Sequence, residues 1–155
     1  METQRVTVID GPLPDGVFAN PGMEPRLAID PELLPIVQEL MRREPICHRP
    51  EFGTTRADFE KQLDPGFWEV GASGRRYGRS FILDTLEAQY KNPTMDVWEI
   101  SGFHCLQIAA DNYLVTYTLI QGRRVTRRAT LWRRTAESWQ ILYHQGTAVE
   151  PGVAP

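Results

Sequence analysis

The chain has 155 residues, of which 41% are hydrophobic and 24% charged, as expected for one globular domain large enough to bury a core. Its net charge of -3 argues against a general affinity for nucleic acid or for an anionic membrane surface. No apolar run reaches the length of a transmembrane helix, and the first residues lack the basic start and long apolar stretch of a signal peptide. We therefore expect a cytoplasmic protein that does not bind membranes.

Residues 1–28 contain four prolines and three glycines and are predicted to form an irregular arm with a short extended piece at Arg5–Ile9. A helix is predicted from about Asp30-Pro31, or from Leu34 because Pro35 complicates the start, and Pro45 stops it. A second helix is predicted over Thr55–Leu63, where Thr55 and Asp58 match a capping box.

A short strand is predicted at Phe67–Gly71, and a third helix at about Arg79–Tyr90. From Val97 onward the alternation is that of strands, predicted at Trp98–Leu106, Tyr113–Ile120, Val125–Arg134 and Trp139–Val149. Helices followed by antiparallel strands predict an α+β domain over residues 29–150, with residues 151–155 as a tail. We expect a curved antiparallel sheet of four to five strands with three helices on one face.

The two cysteines, Cys47 and Cys105, are too few for a disulfide framework and fit a reducing compartment. Each adjoins a histidine, but neighbouring residues of a strand point to opposite faces, so each pair would offer one ligand. We predict no metal site. No glycine-rich phosphate loop or serine-nucleophile turn is present, and we predict no cofactor.

The last two predicted strands mix polar and aromatic residues on faces that ought to be buried. Thr126, Arg128, Thr130 and Trp132 share one face, as a pocket lining would. On the final strand, Gln145 and Thr147 share the parity of Trp139, Ile141 and Tyr143. Regular alternation therefore favours Gln145 and Thr147, rather than His144, on the inner face.

Four segments, PEFGTTRADFEKQL, FWEVGASGRRYGR, RRATLWRR and WQILYHQGT, together with the order of elements, resemble the nuclear-transport-factor-2-like, or cystatin-like cone, superfamily. Within it they look like the SnoaL-like branch called domain of unknown function 4440. The resemblance covers roughly residues 30–150. It implies a cone-shaped pocket between sheet and helices, and dimers formed through the outer face of the sheet. The branch itself has no single assigned activity.

Glu69 is the candidate catalytic residue, since isomerase-like relatives place a general-base carboxylate in the corresponding stretch. In an apolar cavity its pKa would rise, and it could take a proton from carbon next to a carbonyl. The alternative is a structural ion pair between Glu69 and Arg128. Steroid isomerisation is not expected, because the first helix has no tyrosine to stabilise an enolate.

Arg128 could hold a substrate carboxylate or phosphate, and Trp132 could form a wall against a flat ligand. The other predicted substrate-binding residues are Trp68, Tyr117, His144, Gln145 and Thr147. His144 could be an acid–base group, although a structural histidine is the more common case.

The sequence thus predicts a protein that binds a small organic molecule with a carboxylate or carbonyl and catalyses isomerisation, dehydration or cyclisation, with Glu69 as base. The alternative is a non-catalytic dimeric binding or scaffold module. Nucleic-acid binding through the arginines at 123–134 ranks last, because these residues fall on opposite strand faces.

Overall fold

The structure, a computed structural model, describes residues 5–9, 24–94 and 96–150. The predicted tail at 151–155 and most of the predicted arm lie outside these ranges. The strands are β1 (Arg5–Ile9), β2 (Leu63–Val70), β3 (Arg76–Gly78), β4 (Val97–Ala109), β5 (Asn112–Gln121), β6 (Arg124–Arg134) and β7 (Trp139–Ala148).

The described strands form one open sheet in the order β1-β4-β5-β6-β7-β2-β3. Neighbours from β4 to β7 are antiparallel, whereas β1 runs parallel to β4 and β2 runs parallel to β7. The predicted α+β class is confirmed. Within the described residues the sheet has seven strands rather than four to five, because β1 and β3 pair with its two sides as additional edge strands.

The helices are α1 (Leu34–Arg43), α2 (Arg56–Gln62) and α3 (Arg79–Lys91). A 3-10 turn capped by Asp30 precedes α1, which explains why the sequence offers two starting points. The capping box of Thr55 and Asp58 is present at α2, as predicted. No helix in the described part of the chain is long and apolar enough to cross a membrane.

The helices cover one face of the sheet and bury a continuous core against it. Val37 and Leu40 from α1, with Phe59 from α2, are buried. The sheet contributes residues such as Ile100, Val115 and Ile141 to the same cluster. We call this helix-covered side the inner face.

A bulge in β7 decides which residues of that strand reach the inner face. Trp132 pairs with Ile141, but the preceding Leu131 pairs with Tyr143, so Leu142 is an extra residue in the ladder. One extra residue inverts the alternation of side chains beyond it. His144 is therefore buried on the inner face. The prediction that Gln145 and Thr147 face inward was wrong, since it assumed a regular strand; both are exposed on the outer face.

Candidate functional site

A cavity of about 140 Å³ lies between the inner face, α3 and the segment 45–48 that follows α1. It is lined by both apolar and polar side chains. The apolar lining consists of Pro45, Ile46, Cys47, Ile82, Leu86, Trp98, Tyr117 and Leu119, and the polar lining of His48, Glu69, Thr85, Gln89, Gln121, Arg128 and His144. Four of the residues predicted from the sequence are thus brought together: Glu69, Tyr117, Arg128 and His144.

Strand register places the polar groups of the cavity. Glu69 on β2 lies beside His144 on β7, and Tyr117 on β5 lies opposite Arg128 on β6. Arg128 itself pairs with Gly146. Because position 146 has no side chain, the guanidinium lies over it: a Cβ there would be 2.9 Å from Nη1 of Arg128. The glycine thus lets the Arg128 side chain lie across β7, the strand next to Glu69.

Glu69 and Arg128 line the same cavity without a direct ion pair; no salt bridge of the described residues joins them. Arg128 instead donates from Nε to the hydroxyl of Thr126 at 2.9 Å. Burial raises the pKa of Glu69 to about 7, and the charge of Arg128 offsets only part of this rise. The alternative prediction of a direct ion pair between Glu69 and Arg128 was therefore wrong.

Both histidines of the cavity are neutral at pH 7. Burial, together with the positive charge of Arg128, lowers the pKa of His48 to about 4 and that of His144 to about 3. His48 packs edge-on against Trp98 with ring centroids 4.8 Å apart. Nδ1 of His144 lies 2.8 Å from the hydroxyl oxygen of Thr130.

Gln121 provides a polar atom that nothing else in the described structure uses. Its Oε1 is buried and has no hydrogen-bond partner among the described residues, and the residue lines the cavity. A buried acceptor without a partner is costly. A ligand hydroxyl or N–H group in the cavity would relieve that cost.

Sequence reasoning missed Glu44, which is fully buried just after α1. Its carboxylate accepts hydrogen bonds from the Tyr117 hydroxyl at 2.5 Å and from Nε1 of Trp132 at 3.0 Å. Burial raises the pKa of Glu44, and nearby donors, among them the Thr130 hydroxyl and the Ile46 backbone N–H, offset part of this rise. The run Arg42-Arg43-Glu44 is typical of a solvated helix end, so the sequence predicts an exposed Glu44. Its position between a helix and an apolar segment is the only signal that could have indicated burial.

The other predicted ligand-binding residues do not line the cavity. Trp132 is 1% exposed in the core, and its indole N–H is used by Glu44, so the prediction that it forms a wall against a ligand was wrong. Trp68 is 45% exposed and packs edge-on against Tyr143. Gln145 and Thr147 line a second depression of about 460 Å³, which also includes Thr118 and Arg127 and shares Tyr117 and Arg128 with the cavity.

No family model and no curated protein matches the chain. Solved structures do. An uncharacterised protein with a cystatin-like fold from Caulobacter vibrioides matches over 77% of this chain and 92% of its own, with 20% identity and a TM-score of 0.59. This chain has the NTF2-like, cystatin-like cone fold.

Two further structures are similar at the same level. A protein of unknown function from the DUF3225 family of Pectobacterium atrosepticum is 15% identical, over 78% of this chain and 94% of that one, with a TM-score of 0.57. A candidate dehydratase of the NTF2-like family from Streptomyces avermitilis is 16% identical, over 76% and 94%, with a TM-score of 0.55. At these identities the likeness extends to the fold and no further.

Proposed function

We propose that the cavity binds a small organic molecule bearing a carbonyl or carboxylate, and that Glu69 acts on it as the base of a cofactor-free isomerisation, dehydration or cyclisation. The proposal rests on one observation, which is that the Glu69 carboxyl and the Arg128 guanidinium line the same cavity. A carboxyl with a pKa of about 7 and a guanidinium that forms no salt bridge with it line the same space.

The pKa of Glu69 suits proton transfer near neutral pH. A general base is most effective when its pKa lies close to the working pH, because it is then both ionised and basic. Desolvation supplies the shift, as it does for catalytic carboxyls in apolar pockets. The neutral histidines, whose charging is opposed by burial and by Arg128, do not compete for the proton at pH 7.

The charge of Arg128 and the volume of the cavity indicate which class of ligand fits. Arg128 offers N–H donors to a carboxylate or to the oxygen of an enolate that forms when carbon loses a proton. The cavity of about 140 Å³ is close to the roughly 150 Å³ of an engineered protein cavity that accommodates benzene. A ligand of that size class, such as a short oxo acid or a singly substituted ring, fits this space.

The resemblance of four segments to the SnoaL-like, domain of unknown function 4440 branch supports the same class of chemistry, and the candidate dehydratase among the similar folds is compatible with it. We include assignment to that branch in the proposal.

The experiment is proton exchange in D₂O, followed by proton NMR. Pyruvate is the probe, because it carries a carboxylate for Arg128 and exchangeable methyl protons next to a carbonyl for Glu69. The wild-type protein should accelerate exchange of these protons. Glu69→Gln should lower that acceleration by about 10²- to 10⁴-fold, the usual contribution of a general base, while the folded state is retained.

Two outcomes would contradict the catalytic proposal. One is exchange no faster than in buffer, and the other is an equal rate in Glu69→Gln. Arg128→Gln provides the matched binding variant, and here the affinity for pyruvate should fall, measured by calorimetry. If pyruvate, benzoate and acetophenone all leave the thermal unfolding midpoint unchanged, small-molecule binding of this class is itself contradicted.

A non-catalytic dimeric module is the second candidate, and one observation favours it. An apolar stripe crosses five neighbouring strands of the outer face at matching register: Leu106, Leu114, Leu131, Tyr143 and Trp68. Leu106 and Trp68 are about half exposed. A contiguous exposed apolar surface of this kind is typical of a protein–protein contact, and we propose a homodimer formed through it.

A further inference from the structure

A hydrogen bond along β6 fixes one edge of the Arg128 guanidinium. Thr126 and Arg128 lie two residues apart on this strand and therefore project from the same face. Nε of Arg128 donates to the hydroxyl oxygen of Thr126 at 2.9 Å. Thr126 is fully buried, so water does not replace Nε as the donor to this hydroxyl.

Gly146 contacts the flat face of the same guanidinium rather than one of its edges. A Cβ built at position 146 would be 2.9 Å from Nη1, 3.1 Å from Cζ and 3.3 Å from Nε. A contact at the edge would place both nitrogens clearly closer than the central carbon. Nearly equal distances to all three atoms mean that the Cβ position lies above the plane of the group. The N–H groups lie in that plane, so Gly146 does not cover them.

These two contacts decide which N–H groups of Arg128 are left for a ligand. A guanidinium binds a carboxylate side-on, through Nε and Nη2, or end-on, through Nη1 and Nη2. Nε is already used by Thr126, whereas neither Nη forms a hydrogen bond or a salt bridge with another described residue. Arg128 lines the cavity, and the end-on pair is the one that remains for a ligand there.

We propose that Thr126 and Gly146 are positioning residues that hold Arg128 for end-on, bidentate binding of a carboxylate, and that the ligand of the cavity is therefore a carboxylic acid rather than a neutral carbonyl compound. The two Nη donors match the two oxygens of a carboxylate, whereas a ketone or an amide offers one oxygen. This inference rests on the ligand binding of the proposed function. It does not require Glu69 to act as a base.

The first test is proton–nitrogen NMR of the arginine side chains in the wild-type protein, with pyruvate as the probe. Signals that disappear in Arg128→Lys identify the Arg128 side chain. Pyruvate should shift the Nη–H signals more than the Nε–H signal, because Nε keeps Thr126 as its acceptor. A shift of Nε–H as large as that of Nη–H would indicate side-on binding and would overturn the proposal.

Calorimetry with matched ligands tests the role of Thr126. Pyruvamide has the shape of pyruvate but carries a neutral amide in place of the carboxylate, and wild type should bind pyruvate about tenfold more tightly or better. Thr126→Val should weaken pyruvate binding by about threefold to tenfold, the usual net contribution of one hydrogen bond, and leave pyruvamide binding nearly unchanged. Thr126→Ser retains the hydroxyl and should bind both ligands as wild type does.

Thr118→Val is the matched control. Thr118 is also a buried threonine whose hydroxyl accepts a hydrogen bond from an arginine, Arg127, but it is not among the residues that line the cavity. Its replacement should leave the ratio of the two affinities unchanged.

The outcomes separate this inference from the proposed function. An unchanged affinity for pyruvate in Thr126→Val, or equal weakening of both ligands, would contradict the role of Thr126 and leave small-molecule binding intact. If neither ligand binds to wild type, this inference falls together with the proposed binding. If Thr126→Val does not fold, the NMR measurement on the wild-type protein decides.

Discussion

Glu44 and Glu69 carry the same chemical group, a carboxyl, but their surroundings give the two side chains different roles. Glu44 is fully buried, and its two carboxylate oxygens accept hydrogen bonds from the Tyr117 hydroxyl and the Trp132 indole N–H. Glu69 lines the cavity, and no side-chain hydrogen bond among the described residues shifts its pKa. Burial raises the pKa of both carboxyls, but only Glu69 lines the cavity, so Glu69 is the one that can meet a ligand.

Glu69 should make stability depend on pH in a direction unusual for a carboxyl. Burial raises the pKa of Glu69 from its ordinary value of 4.5 to about 7 in the folded protein, so the folded state binds more protons between these values. Stability is therefore lost as pH rises through this window, by up to about 3 kcal/mol. We expect Glu69→Gln to gain stability relative to wild type between pH 4.5 and pH 8.

Urea unfolding of both proteins at several pH values measures this difference. His48 and His144 act in the opposite direction, because their lowered pKa values make stability rise with pH toward 6.5. They are present in both proteins and cancel in the comparison. A difference between the two proteins that does not change with pH would show that Glu69 is not held in the desolvated state described.

At the scale of the elements, β6 and β7 build the site together. Arg128 projects from β6 but lies over Gly146 of β7. Gly146→Ala would place a methyl group 2.9 Å from Nη1 and 3.1 Å from Cζ, so the guanidinium must move. Because Arg128 is a flexible side chain that can move aside, we expect a cost in unfolding free energy of about 1 kcal/mol, the lower end of the usual cost of overpacking, but a clear loss of affinity for pyruvate.

Calorimetric titration with pyruvate and urea unfolding distinguish these two effects. Gly78→Ala is a control for affinity, because a Cβ at position 78 meets nothing within 4 Å. If Gly146→Ala binds pyruvate as wild type does, the position of Arg128 over this strand is not needed for binding.

The capping box of α2 can be predicted from the sequence, whereas the bulge in β7 cannot. The start of α2 follows from Thr55 and Asp58, since a capping box acts within four residues. The extra residue Leu142 in β7 has no such local signal, because a bulge is defined against the partner strand. For this reason the residues on the inner face of β6 were predicted correctly. In β7 the prediction failed for the residues after position 142.

In the molecule as a whole, the two faces of the sheet have different roles. The inner face carries the core and the cavity, and the outer face carries the apolar stripe. If the stripe is a dimer interface, sedimentation should give twice the mass of one chain. Leu131→Lys, in the middle of the stripe, should shift the protein to monomer without changing the cavity.

Leu34→Lys is the matched control, since Leu34 is 49% exposed at the start of α1 rather than on the sheet. This variant should remain dimeric. A monomeric wild-type protein, or a dimer that Leu131→Lys leaves intact, would remove the stripe from consideration as the interface.

Local patterns in the sequence were enough to predict the α+β class, the helix starts, the main strands and the candidates Arg128 and Tyr117, because caps, turns and alternation act over a few residues. Glu69 became a candidate through the family resemblance. The tertiary structure alone decided that Glu44 is buried, that His144 and not Gln145 reaches the cavity, and that Trp132 belongs to the core. Each of these depends on a partner on another strand or helix. Contacts between residues 73 or 88 positions apart, such as those of Glu44 with Tyr117 and Trp132, leave no periodic pattern in the chain.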